Sequence, residues 1–287
     1  MKGVILTAGN ATRLKPLTFV TGKILVPIYN KPMIFYGVSL LIKCGITDIV
    51  IVCNKHDINL YRHVFDNKYA EYGLNISFVL QQKALGTAHA LKYASDFVGG
   101  EDFVLLFGDN IFISNNMDKL LLDAIKHNTG LTLFAKEVKN PQSFGVLEFD
   151  KNNFITNMEE KPKNPKTNFA STGFYIFKGD AMEKLKKVKK SSRGEYELTD
   201  VILSYISEHR AKIKLLDNNC NWLDTGTFDS LLDCSNYVKE FEQKNGLFGC
   251  IELELYNKKL INKTQLKNLI SCYSADYQNR VLNSTKK

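Results

Sequence analysis

Through the first half of the chain, short apolar runs alternate with stretches whose apolar residues recur at helical spacing. Val4-Ile5-Leu6 is a compact run of the kind that forms a strand buried on both faces. Pro32 to Lys43 carries a helical pattern closed by Gly45. Asp48 to Val52 predicts a second strand, His56 to Phe65 a second helix, and Ile76 to Val79 a third strand. Thr87 to Phe97 predicts a helix, and Phe103 to Phe107 a fourth strand with no polar residue. Buried strands alternating with helices imply a parallel sheet covered on both faces, a Rossmann-like three-layer α/β architecture.

Beyond the midpoint the strand signals crowd together: Leu131 to Glu137, Val146 to Phe149, Phe154 to Met158 and Gly173 to Phe177. Their spacing predicts antiparallel strands added to the sheet, making it mixed but mostly parallel. After Thr227 the pattern turns helical. Phe228 to Lys244 is amphipathic and stops at Asn245-Gly246, and a further helix begins near Thr264. With no repeat or linker in between, the tail is expected to be a C-terminal helical appendage, residues 228–287, on one main domain, residues 1–227.

Composition changes this picture little. A chain of 287 residues, 44% hydrophobic and 24% charged, is ordinary globular material and long enough to bury a core without staples. The six cysteines are scattered, and Cys44 and Cys53 sit among apolar neighbours as small buried hydrophobes, so neither disulfides nor zinc are expected. The opening apolar run is too short for a signal segment or a membrane span, which predicts a cytoplasmic protein with no membrane partner. The net charge of +8 raises the question of nucleic acid. The basic residues, however, are spread out without interleaved aromatics, so no nucleic-acid partner is expected, and anionic small molecules suit the charge as well. The densest basic run, Lys184 to Lys190, spaces its apolar residues as on a helix with a solvated face.

Open parallel sheets bind ligands at the carboxyl ends of their strands, and three features fall at such ends. Thr7-Ala8-Gly9-Asn10-Ala11-Thr12-Arg13-Leu14 follows the first strand; its small residues let backbone N–H groups approach a phosphate, and Arg13 can neutralise one. It is neither a Walker loop nor a G-x-G-x-x-G turn, and a plain strand-to-helix connection would read the same way. Gly108-Asp109-Asn110 follows the fourth strand and places a carboxylate where a hard cation could be held, or where an Asx turn would form. Trp222-Leu223-Asp224-Thr225-Gly226 supplies a second isolated aspartate. Two loop carboxylates with a small-residue loop have the makings of a metal-nucleotide site.

In its motifs the chain resembles the sugar-1-phosphate nucleotidylyltransferases along its whole length, most of all the bacterial glucose-1-phosphate thymidylyltransferase branch. The family loop L-A-G-G-x-G-T-R-L appears as Leu6 to Leu14, LTAGNATRL, and the K-x-L-x-P segment as Lys23 to Ile34. Further matches follow in order: Gly108-Asp109-Asn110, Phe144 to Asp150, Glu159-Glu160-Lys161-Pro162, Thr172-Gly173-Phe174-Tyr175, Arg193-Gly194-Glu195, and Trp222 to Gly226. The resemblance implies an enzyme that condenses dTTP with α-D-glucose 1-phosphate, giving dTDP-glucose and pyrophosphate for deoxysugar or surface-polysaccharide synthesis. It assigns Ala8, Gly9, Ala11, Thr12 and Arg13 to the triphosphate loop, with Lys23 as a second cation. Gln81 would read the pyrimidine edge and Gly86 would close on the base. Asp109 and Asp224 would hold Mg²⁺. Asn110, Gly145, Glu160 and Ser171 would surround the sugar, with Lys161 and Arg193 on its phosphate. It also implies a nucleotide-binding first half, a sugar-binding second half, and a homo-oligomer, a tetramer in the relatives.

Several positions depart from that pattern. Ala8 and Ala11 replace glycines, and because alanine disfavours positive φ, a less strained or looser loop is expected. Phe144 replaces a common tyrosine, and Leu85 to Ala90 looks more like a uridylyltransferase segment. Asn218 to Asn221 lacks the arginine usual before Trp222, which speaks against a secondary regulatory nucleotide site. Two alternatives therefore stand beside the first reading: the same chemistry with UTP or another sugar 1-phosphate, and a non-catalytic nucleotide-sugar sensor. His89 is expected to be a capping or surface residue. Glu197 and Asp200 are expected to cap or pair locally.

Overall fold

The computed structural model describes every residue except Asn10, Asn67, Lys286 and Lys287. Asn10, part of the expected phosphate loop, thus lies outside the described residues. In chain order the strands are β1 (Lys2–Leu6), β2 (Pro27–Ile28), β3 (Lys31–Pro32), β4 (Asp48–Cys53), β5 (Asn75–Leu80), β6 (Phe103–Phe107) and β7 (Asn110–Ile113). They continue with β8 (Leu131–Glu137), β9 (Gly145–Phe149), β10 (Ile155–Glu160), β11 (Phe169–Phe177), β12 (Ala211–Leu215) and β13 (Asn221–Asp224). Nine of them form one mixed sheet in the order β10-β9-β11-β6-β1-β4-β5, with β8 pairing β11 and β12. The run β6-β1-β4-β5 is parallel, and β11 joins it antiparallel to β6.

Alternate residues of the central strands feed two cores, as the period of two requires. Ile5, Ile49, Ile51 and Leu106 face one side, with the helix Ile34–Lys43 and the C-terminal helices. Val4, Leu6, Val50, Val52 and Leu105 face the other, with the helices Thr87–Lys92 and Leu198–Ser207. Both faces are thereby covered, which is why these strands carry no polar alternation. The first helix ends where Gly45 adopts φ +79° and Ile46 N–H donates back to the Leu41 carbonyl. Helix Phe228–Asn245 begins with a capping box between Thr227 and Ser230, and helix Lys263–Ile270 with one between Asn262 and Gln265. Among the described residues no helix is long and apolar enough to cross a membrane.

The structure corrects several expected boundaries. The helix expected over Thr87 to Phe97 is two, Thr87–Lys92 and Ser95–Val98, because Tyr93 and Ala94 donate to carbonyls only three residues back and tighten the turn. The helix expected from Pro32 starts at Ile34, since Lys31 and Pro32 are strand β3. The one expected from His56 starts at Ile58, since Asp57 turns inward. The basic run Lys184 to Lys190 is helical only to Leu185; a turn follows over Lys186 and Lys187, and Lys190 bridges Tyr196. Strands β7, β12 and β13 and the helices Met117–His127, Leu198–Ser207, Ile251–Asn257 and Ala275–Ser284 were not expected.

Candidate active site

The carboxyl ends of β1 and β6 open into a cleft of about 560 Å³, inside the range of small-ligand sites. One wall is the loop after β1, where Ala8, Gly9, Ala11, Thr12 and Arg13 line the cavity. Leu14 is fully buried and anchors the short turn Thr12–Leu14 that presents Arg13. Ala11 stands at φ 44°, ψ 39°, so the alanine keeps the left-handed conformation and the loop is not relaxed at this position. Such a residue costs roughly 1–2 kcal/mol, held here by the structure around it.

Lys23 enters from a second short turn, Lys23–Leu25. Its start is pinned by buried Asp57, whose Oδ1 accepts the Gly22 N–H at 2.9 Å. This anchor is invisible in the sequence, because one aspartate ahead of a helix reads as a cap.

Asp109 and Asp224 are far apart in sequence, yet the structure brings them side by side. Strands β7 and β13 pair antiparallel with Asp224 opposite Asn110, and the Thr225 hydroxyl donates to the Asp109 carbonyl at 3.1 Å. Both carboxylates converge on Lys23: its Nζ lies 2.8 Å from Asp109 Oδ2 and 3.9 Å from Asp224 Oδ1. Burial and the neighbouring Asp109 push the Asp224 carboxyl above its ordinary range, against the opposing pull of Lys23, Arg13 and Lys161. Two convergent carboxylates form an oxygen site that one cation satisfies, and no cluster of three or more metal-ligating side chains exists among the described residues. That donor set fits magnesium, which is commonly held by one or two carboxylates with substrate phosphates completing its shell.

The opposite wall comes from the added antiparallel strands. Gly145 opens β9 beside Glu160, the last residue of β10; a Cβ on Gly145 would collide with Met158 and approach Glu160 Oε2 at 3.1 Å. Burial raises the Glu160 carboxyl, with Lys161 and Arg193 pulling the other way and Glu197 reinforcing the rise. Lys161 stands at φ 48° and donates its N–H to the Phe144 carbonyl at 2.9 Å, so the backbone fixes its direction. The Ser171 hydroxyl is 2.9 Å from that of buried Tyr175. Asn110 Oδ1 accepts the Trp222 indole N–H at 2.6 Å, and the Phe144 and Trp222 rings pack with centroids 5.0 Å apart.

Gln81 is buried at the end of β5, and Gly86 follows at φ 111° with no room for a Cβ against the Tyr196 backbone. Both line the cleft. His89 is neither a cap nor a surface residue: half-buried, it places Nδ1 3.0 Å from Gln81 Nε2. Its helix is entered through Gly86 without any side-chain cap, so the expectation of capping fails. The structure gathers every expected site residue into this one cleft except Arg193. The Arg193 guanidinium sits beside the cleft, 3.6 Å from both Glu160 Oε1, which lines it, and Glu197 Oε1. Glu197 also accepts from the Ser191 hydroxyl at 2.7 Å, a local role as expected.

Residues 2–240 match the family model described as Nucleotidyl transferase. The chain is 38% identical over 247 residues to the glucose-1-phosphate thymidylyltransferase of Mycolicibacterium smegmatis, covering 86% of this chain and 85% of that one. It is 35% identical over 270 residues to the enzyme of the same name from Neisseria meningitidis, covering 94% and 93%. Among solved structures, a Bacillus anthracis chain described as a glucose-1-phosphate thymidylyltransferase, in complex with a sucrose, superposes with a TM-score of 0.75 at 34% identity, covering 83% of this chain and 94% of that one. A UDP-glucose pyrophosphorylase complexed with UDP-glucose gives the same TM-score at 23% identity, covering 83% and 98%, which speaks to the fold alone. Matched by that family model over residues 2–240 and by relatives at 35% and 38% identity over most of its length, the chain belongs to the nucleotidyl transferase family.

Proposed function

We propose that this chain condenses dTTP with α-D-glucose 1-phosphate, yielding dTDP-glucose and pyrophosphate. The observation that carries the reading is the single cleft with cations and paired carboxylates at one wall, and Glu160 and Lys161 at the other. The relatives' names supply the substrate pair.

The reaction brings together two anions. The phosphate oxygen of the sugar must approach the α-phosphorus of the nucleotide in line with the departing pyrophosphate. Arg13 and Lys23 offset charge on the triphosphate and on the leaving group, and Ala8, Gly9, Ala11 and Thr12 would offer backbone N–H donors. Asp109 and Asp224 would hold the magnesium. When bound, that ion neutralises phosphate charge and supplies Lewis acidity. Lys161 and Arg193 would hold the sugar phosphate, while Glu160, Asn110, Gly145 and Ser171 fix the hexose. Gln81 would pair with the imide edge of the base and Gly86 would close on it. No protein nucleophile is needed, because positioning and electrostatics do most of the work. Residues 1–227 would carry the chemistry and residues 228–287 would brace it, within a homotetramer that sedimentation can test.

UTP is the second reading, since the imide edge that Gln81 would pair with is common to uracil and thymine. Pyrophosphate release measured with four nucleoside triphosphates against several sugar 1-phosphates decides. The largest kcat/KM is expected for dTTP with glucose 1-phosphate; a purine nucleotide used equally well, or no release with any pair, overturns the proposal.

A further inference from the structure

The base-reading proposal leaves one property of Gln81 unexplained: a carboxamide has two orientations that exchange its oxygen and its nitrogen. The choice has chemical consequences. Thymine and uracil present an N–H at position 3 beside a carbonyl oxygen, so they pair with an amide whose oxygen accepts and whose N–H donates. Cytosine presents the reverse at the same edge, a bare nitrogen beside an amino group, and pairs with the flipped amide. A freely turning Gln81 would thus accept either base.

The structure supplies something that can fix the choice. Gln81 is buried, and Nδ1 of His89 lies 3.0 Å from its Nε2. The His89 ring is itself held, edge-on to Tyr93 with centroids 5.2 Å apart and stacked near Tyr196 at 6.1 Å. We propose that His89 is a positioning residue that locks the Gln81 amide in the orientation that pairs with a pyrimidine imide and rejects cytosine. The neutral imidazole with its proton on Nε2 leaves a lone pair on Nδ1, which accepts one Gln81 N–H and commits the amide. Burial and nearby Lys92 hold the ring below the ordinary histidine range, which keeps it neutral and able to accept. The proposal rests on Gln81 reading the base. Because the backbone of Tyr196 is bonded to Leu85 and Ala88, the same clasp that closes the Gly86 turn also supports the histidine.

The test is the ratio of kcat/KM for dTTP over dCTP in His89→Phe, His89→Asn and Gln81→Ala. Phenylalanine keeps the ring between the two tyrosines and deletes the acceptor, and asparagine can return an acceptor at the Nδ1 position. His89→Phe is expected to lower the ratio by about two- to tenfold, the worth of one neutral hydrogen bond, mainly through the KM for dTTP. His89→Asn is expected to recover most of it, which a purely structural role would not produce. Gln81→Ala is expected to collapse the ratio further. A ratio lost in Gln81→Ala but kept in His89→Phe overturns the orienting role alone. A ratio unchanged in Gln81→Ala overturns the base-reading role beneath it.

Discussion

Two lysines on one stretch of chain, Lys23 and Lys31, each meet carboxylates from distant segments, and the two clusters are built for opposite ends. Lys31 Nζ sits 2.7 Å from Glu242 Oε1 with the side chains 3% and 0% exposed, and Arg280 completes Glu242 from the last helix at 2.6 Å. Burial pushes the Lys31 ammonium below its ordinary value, with Glu242 pulling it back. The Lys31–Glu242 pair is sealed from solvent, and it fastens the C-terminal helices to the hairpin β2–β3. Lys23, Asp109 and Asp224 are 12%, 35% and 38% exposed and line the cleft. There an ion pair holds two carboxylates ready while leaving them open to a ligand. The same charge chemistry is a fastener when sealed and a binding site when wet.

Substitution separates the two. Glu242→Ala leaves Lys31 buried and unpaired, so urea denaturation should show a loss of about 3–5 kcal/mol in unfolding free energy, with turnover per folded molecule retained. Asp109→Ala and Asp224→Ala should do the reverse, cutting turnover on the order of a hundredfold while the urea midpoint barely moves. If Glu242→Ala abolished turnover without destabilising the fold, the division of roles would be wrong.

The sugar wall offers a finer contrast. An exposed ion pair of Lys161 with Glu160 would be worth only about 0–1 kcal/mol, and its loss would leave kinetics alone. A cation on the sugar phosphate is a charge-assisted contact, so Lys161→Ala should reduce kcat/KM for glucose 1-phosphate by roughly ten- to a hundredfold and leave dTTP affinity near wild type. Calorimetric titration with each substrate checks this; equal loss of both would assign Lys161 a structural role.

Asp224 also carries a pH signature. Its raised pKa means the folded state holds the proton more tightly than the unfolded chain. The resulting stability is present below the unfolded value and lost as pH rises through the folded one, so at neutral pH the ionised carboxylate costs stability. Asp224→Asn should therefore melt slightly higher than wild type at neutral pH, and the gap should close in acid below both values. A variant that melted lower at neutral pH would contradict the sign.

The smallest effect concerns the loop. Ala11→Gly removes the left-handed strain but frees the unfolded chain, so the change in stability should stay within about 1 kcal/mol of zero by denaturant titration. A larger loss would show that the Ala11 methyl makes a contact the loop depends on.

What the chain declared in advance follows the same physics. Val4-Ile5-Leu6 and Phe103 to Phe107 were legible because a strand covered on both faces has no polar alternation to mislead. The cleft loop was legible through its small residues and Arg13. The partnership of Asp109 with Asp224 was visible only as two isolated aspartates, since β7 and β13 are four-residue strands whose pairing is set by tertiary contact rather than by pattern. Asp57 escaped notice and His89 read as a capping or surface residue for a similar reason: each acts on a segment brought beside it by the fold, Gly22 in one case and Gln81 in the other. Ala11 misled because propensity says alanine avoids positive φ, while the packing around buried Leu14 overrides it.

The claim on which the rest depends is that Asp109 and Asp224 together hold the cation beside the nucleotide. Electron paramagnetic resonance of Mn²⁺ titrated into the protein with saturating dTTP reads that directly, because free and bound ion differ in signal. The wild type is expected to bind the ion, and Asp109→Ala and Asp224→Ala are each expected to weaken that binding by about tenfold or more. Unchanged Mn²⁺ affinity in both folded variants would contradict the account.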